Sequence, residues 1–124
     1  MQIEYHIDTE KGIITETWPA EVNFEDYKDL KYREFSDPMF ESNYDIISDL
    51  RNANLEYSED DLNQIFQLFR ENLSKIGKRK SALITDKPMQ VVSTMLFKEK
   101  IKELPLNVQV FSTIEAAMKW ILEA

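Results

Sequence analysis

The chain has 124 residues, 43% of them hydrophobic and 11% aromatic, with 23 acidic and 15 basic side chains and a formal net charge of -8. That length predicts one domain over residues 1–124 with a sizeable core, and the apolar fraction excludes a disordered chain. The acidic balance disfavours nucleic acid, which needs basic surface to displace counterions, and anionic membranes; the lack of cysteine excludes disulfides and thiolate metal sites.

Met1 to Tyr5 carries no basic region followed by an apolar core, so no signal peptide is expected. No apolar run approaches the roughly 20 residues that cross a bilayer, and the expected location is the cytoplasm. Ile3, Tyr5 and Ile7 alternate with Glu4, His6 and Asp8, the pattern of a half-buried strand. Thr9 to Gly12 reads as a turn, and Ile13 to Trp18 as a second strand paired with the first in an antiparallel hairpin. Asn23 is placed as an N-cap, with Glu25 and Asp26 in the first turn of a helix that stops before Pro38.

Tyr44 to Leu50 reads as the third strand, delivering Asp49 and Arg51 to a loop. Ser58 and Asp61 form a capping box at the start of a second helix. Leu62, Ile65, Phe66, Phe69, Leu73 and Ile76 share one helical face, which predicts a continuous helix ended by Gly77. Ser81 to Thr85 is a strand covered on both faces. Pro88 opens a third helix that ends near Leu104-Pro105, and Asn107 to Phe111 is the fifth strand. Ser112 and Glu115 read as a capping box for the last helix, with Ile114, Ala117, Met118, Ile121 and Leu122 on its inner side. The order β-β-α-β-α-β-α-β-α implies an α/β fold. Its five-stranded sheet is mostly parallel, with right-handed crossovers and an antiparallel N-terminal strand near an edge.

The chemistry-bearing residues are few. His6 is the only histidine and has no ligand set around it. Asp49 ends a strand as a receiver-domain aspartate would, but no acidic pair follows a parallel first strand and no lysine ends the fifth. An ion pair with Arg51 is the simpler account. Ser58 is accounted for by capping, although a phosphate at a helix N-terminus would also gain from the dipole. Lys75, Lys78, Arg79 and Lys80 cluster at a helix C-terminus, where cations are favoured. With glycine only at positions 12 and 77, there is no phosphate-binding loop, and no nucleophile–base or metal motif stands out. No catalytic residue, cofactor or metal is therefore expected. Trp18, Phe35, Met39, Phe40, Met89, Met95, Phe97 and Trp120 read as core or dimer contacts, with an apolar pocket or a partner surface as the other readings.

Several local phrases, in this order, resemble a known family. They are the hairpin with Gly12; Asp49-Leu50-Arg51-Asn52-Ala53; Ser58-Glu59-Asp60-Asp61-Leu62; Lys75 to Ala82; Thr85-Asp86-Lys87-Pro88; Val110-Phe111; and Glu115 to Ile121. Nearly the whole chain thus resembles the SpoIIAA-like family of the STAS/SEC14 (CRAL-TRIO-related) group, small bacterial proteins likened to anti-sigma-factor antagonists. The resemblance implies a mixed sheet packed by helices and a regulatory or protein-interaction role rather than catalysis. In the antagonists, phosphorylation of a serine that opens a helix breaks a complex with a partner kinase. Ser58 is the nearest positional match here, without the family's Asp-Ser-Ser-Gly-like motif and after a longer loop. The CRAL-TRIO side of the kinship implies instead a small apolar or lipid-like ligand, held beside the first and third helices. The expectation is a non-enzymatic domain that binds a protein partner, an anti-sigma-type kinase among the candidates, or such a ligand. Its candidate interaction or switch residues are Asp49, Arg51, Ser58 and Asp86, and a homodimer is compatible with the apolar surplus.

Overall fold

The computed structural model describes residues 2–123. Strands β1 (Glu4–Asp8) and β2 (Ile13–Thr17) form the antiparallel hairpin, with Asp8 opposite Ile13. Gly12 takes φ 67° in the turn. The Asp8 carboxylate closes that turn by accepting from the Glu10 and Lys11 N–H groups at 3.0 and 3.1 Å. Trp18, read as the last residue of the second strand, lies just past it, although its N–H still reaches the Asp49 carbonyl at 3.1 Å.

Helix α1 (Phe24–Ser36) starts with a capping box between Asn23 and Asp26. Strand β3 (Asp45–Asp49) is followed by α2 (Glu59–Glu71), which opens with the Ser58–Asp61 capping box. The predicted single helix to Gly77 is instead two. Asn72 leaves helical geometry at φ -124° and ψ 28°, and its side-chain amide donates to the Leu68 carbonyl at 2.7 Å. Helix α3 (Leu73–Ile76) follows as a separate turn, with Leu73 partly exposed and Ile76 buried. Strand β4 (Arg79–Ile84), helix α4 (Pro88–Lys100), strand β5 (Leu106–Phe111) and helix α5 (Ile114–Ile121) complete the chain. The cap of α5 is Thr113 rather than Ser112: its Oγ1 accepts from the Ala116 N–H at 3.1 Å, because the turn out of β5 takes one more residue than the sequence pattern suggested.

The sheet order is β1-β2-β3-β4-β5, with every pair after the hairpin parallel. Each crossover thus advances one strand in the same direction. A common right hand then puts α1, α2 and α4 on one face. Their core unites Tyr27, Leu30, Ile65, Phe69, Ile76 and Ile101 with Trp18, Leu83 and Val108 of the strands and loops. The last helix, α5, follows the final strand and covers the opposite face through Ala117 and Ile121, packed on Ile13, Ile47, Ala82 and Ile84.

One joint holds the amino end of the sheet. Asn43 and Gly77 both take positive φ, 74° and 65°. The Asn43 N–H donates to the Ile76 carbonyl at 3.1 Å, and its side-chain oxygen accepts from the Lys78 N–H at 2.7 Å. A Cβ on Gly77 would lie 2.1 Å from that same oxygen. Gly77→Ala is therefore expected to cost about 1–3 kcal/mol, from the strained φ and the displaced amide. Urea unfolding of the two proteins measures this; equal midpoints would show that the joint yields freely.

Candidate functional site

The four residues singled out in the sequence lie at or near the carboxyl end of the sheet or at a helix start. Asp49 and Arg51 form a two-pronged pair at 2.9 and 2.8 Å. The guanidinium holds the Asp49 carboxyl below its usual range. Asp86 follows β4 and pairs with Lys87 at 3.0 Å; the Arg51 pKa is raised by its bond to Asp49, with a smaller addition from the charge on Asp86. Ser58 sits at the N-terminus of α2, its oxygen accepting from the Asp61 N–H at 3.1 Å. The structure therefore brings Asp49, Arg51 and Asp86 together in one charged edge, and ties Ser58 into its cap. Both pairs are partly exposed, and such pairs contribute about 0–1 kcal/mol each.

The loop after Asp49 is clamped by α4. Gln90, fully buried, donates its side-chain N–H groups to the carbonyls of Leu50, Arg51 and Ala53 at 2.8, 3.1 and 2.9 Å. Its side-chain oxygen accepts from the Asp86 and Lys87 N–H groups. Ser93 donates to the Leu55 carbonyl at 2.6 Å. The inner side of α4 is thus partly polar because the loop it covers has carbonyls to satisfy. Its outer side is apolar: Met89, Val91, Val92, Met95 and Leu96 are 42–63% exposed. The sequence reading left Met89 and Met95 to the core or a dimer contact, or else to a pocket or partner surface; they point outward, which excludes the core alone.

Behind α4 lies a cavity of about 60 Å³, walled by Trp18, Tyr27, Leu55, Tyr57, Phe69 and Phe97 among others. Its helix walls come from α1, α2 and α4, with the sheet as its floor. One side is ionic. Glu16 on β2 and Ser48 on β3 are direct cross-strand neighbours, and the Ser48 hydroxyl donates to Glu16 at 2.8 Å. The Trp18 indole N–H donates to the same carboxylate at 3.3 Å. Lys31 of α1 donates to Glu16 at 2.8 Å and to Glu34 at 3.1 Å, and these three side chains are 1%, 3% and 0% exposed in chain order. Arg79, 6% exposed, also lines the cavity. Its Nε reaches only the Ile76 carbonyl, at 3.4 Å. Its Nη2, like the Tyr57 hydroxyl and Glu34 Oε2, has no hydrogen-bond partner among the described residues.

Burial opposes charge in all of these groups, and the neighbours decide the outcome. For Glu16, burial raises the pKa, but the Lys31 ammonium and the hydrogen bonds it accepts bring it down to about 2. Burial would lower the Lys31 pKa, yet the two carboxylates hold it above its usual value. Glu34 is pushed well up, by burial and then by the charge on Glu16. The cluster thus reads as an ionic Glu16–Lys31 pair beside a Glu34 whose carboxyl holds its proton more firmly than usual. Composition and motif reading missed it, because no motif joins these residues. Helical spacing held a signal: Lys31 and Glu34 continue the i, i+3, i+4, i+7 stripe that begins at Tyr27 and Leu30. Arg79 was read as one of a basic cluster at a helix C-terminus, since sequence alone does not show that β4 begins there and buries it.

Among the described residues, no group of three or more His, Cys, Asp or Glu is arranged to hold a metal ion, and no helix is long and apolar enough to cross a membrane. The ionic cluster makes two predictions. Lys31→Met leaves Glu16 buried without its counter-ion and is expected to cost about 3–5 kcal/mol in denaturant unfolding, whereas a cost below about 1 kcal/mol would mean the pair is dispensable. Glu34 has a raised folded pKa, so its contribution is complete below the ordinary carboxyl value and shrinks as pH climbs toward the raised one. The stability of the natural protein relative to Glu34→Gln should therefore fall as pH rises above the ordinary carboxyl value of 4.5. For Glu16 the sign reverses: its advantage over Glu16→Gln should fade as pH drops from 4.5 toward about 2. Stability differences that stay flat with pH would contradict both assignments.

Neither a scan of family models nor a search of curated proteins finds a match to this chain. Among solved structures, it is similar to an uncharacterised protein of the DUF3478 family with a SpoIIAA-like fold from Shewanella loihica PV-4. The TM-score is 0.67 at 14% sequence identity, over 97% of this chain and 94% of that one. The fold that the sequence resemblance implied is therefore the one observed: this chain folds as a SpoIIAA-like α/β domain.

Proposed function

We propose that this protein is a non-enzymatic interaction module of regulatory type, and that its partner docks on the outward face of α4 and the charged edge next to it. The observation that carries this reading is the apolar row Met89, Val92, Met95 and Leu96 on the solvent side of a helix whose inner side is already engaged. Asp49, Arg51 and Asp86 lie at the other end of the same clamped loop and would supply a polar rim. Lys87 joins the two by donating to the Arg51 carbonyl at 2.5 Å. An anti-sigma-type kinase is the partner class that the sequence resemblance suggests.

The chemistry of the buried cluster favours a binding role over catalysis. A carboxyl near 2 is a weak base at neutral pH, and a lysine held above its usual pKa is a weak nucleophile. A second reading, capture of a small apolar ligand, is favoured by the cavity between α1, α2, α4 and the sheet.

A photo-crosslinking residue at position 95 is expected to trap a defined protein in cells of the host, and the same residue at exposed position 6 to trap none. A trapped second copy of the chain would make the partner the protein itself. Val92→Glu/Leu96→Glu, both on the outer side, should fold normally and bind the purified partner at least about tenfold more weakly. Equal trapping at the two positions, or unchanged affinity, would remove α4 as the docking face.

A further inference from the structure

Arg79 is the odd member of the buried cluster. Glu16 receives three donors, and Lys31 is shared by two carboxylates. Arg79 has no ion-pair partner among the described residues, only a long bond to a backbone carbonyl and one nitrogen without any acceptor. A buried charge in that state is costly, because desolvation is not offset by a counter-ion. The carboxylates of the cluster are taken up with Lys31, and none of them bonds the Arg79 guanidinium. Burial accordingly pushes the Arg79 pKa down.

Around this one cation the cavity is apolar. Trp18, Leu55, Phe69, Phe97 and Leu106 form much of the wall. Arg79 and Leu106 also line a surface groove with Asp45, Lys78, Lys80 and Asn107, so this residue borders both the cavity and the surface. A planar guanidinium with a free nitrogen matches a carboxylate. In so small and apolar a cavity, a carboxylate on a hydrocarbon is cheaper to bury than a larger and more strongly hydrated phosphate. The cavity of about 60 Å³ has room for roughly four to six waters at about 10–15 Å³ each, so the apolar body must be short.

Resting on the ligand-binding reading above, we infer that the cavity takes a short apolar monocarboxylic acid, its carboxylate on Arg79 and its hydrocarbon against Trp18, Phe69 and Phe97. Tyr57, whose buried hydroxyl has no partner, is a second donor in the same wall.

The test compares hexanoate with hexan-1-ol by calorimetry on the natural protein, and repeats both on Arg79→Gln after its fold is checked by circular dichroism. Hexanoate should bind at least about tenfold more tightly than the alcohol, and Arg79→Gln should abolish that difference while leaving alcohol binding unchanged. If acid and alcohol bind equally, or Arg79→Gln keeps the preference, the carboxylate assignment is overturned and the apolar cavity stands. If neither binds, the ligand-binding reading falls with it. The acid-to-alcohol comparison on the natural protein decides the matter even where Arg79→Gln does not fold.

Discussion

The constraint on which the molecule depends is that its parallel crossovers advance one strand at a time with one hand. With the order β1-β2-β3-β4-β5, right-handed connections have only one face on which to lay α1, α2 and α4. That face is consequently thick, and the strand residues beneath it lie under a full layer of helix. Ile46, Ser48, Leu50 and Leu83 all line the cavity there. The opposite face has α5 alone, seated over β4 with β3 and β5 to either side, and the β1–β2 end of that face stays polar, with His6 and Thr17 exposed.

A consequence is that charged residues of separate segments are driven together. Glu16, Lys31 and Glu34 belong to a strand and a helix that register and crossover force into contact. Burying them costs several kcal/mol per ion, which the short contacts and the Ser48 and Trp18 hydrogen bonds must offset. Such a cluster ties α1 to the sheet in one arrangement, because any slip leaves an unpaired charge in the interior. Lys31 also stands 5.3 Å over the Tyr27 ring, so the same ammonium is held from a third side.

The inversion of α4 follows from the long connection between Leu50 and Tyr57. That segment has no strand or helix of its own, and much of it is covered: Leu50, Ala53 and Leu55 are buried. Its carbonyls need donors, and Gln90 and Ser93 supply them. With Gln90, Ser93 and Thr94 on the inner face beside Phe97, the apolar Met89, Val92, Met95 and Leu96 fall on the outer one. The docking surface and the clamped loop are therefore two results of one local need for hydrogen bonds.

Much of the fold was legible along the chain. The alternation of Ile3, Tyr5 and Ile7, the caps at Asn23 and Ser58, Pro88 and Gly77 mark local structure by local physics, and the structure keeps each of them. The break at Asn72 and the later cap at Thr113 escaped because a side-chain bond to Leu68 and the length of a turn decide them. The resemblance to SpoIIAA-like proteins carried the architecture. What the sequence by itself determined is the elements and their order, since periodicity, caps and turns act over a few residues. Only the tertiary structure decided that Glu16, Lys31, Glu34 and Arg79 lie inside and that Met89, Val92, Met95 and Leu96 lie outside. Which side of an amphipathic segment is covered depends on what packs against it, and those partners lie tens of residues away in the chain.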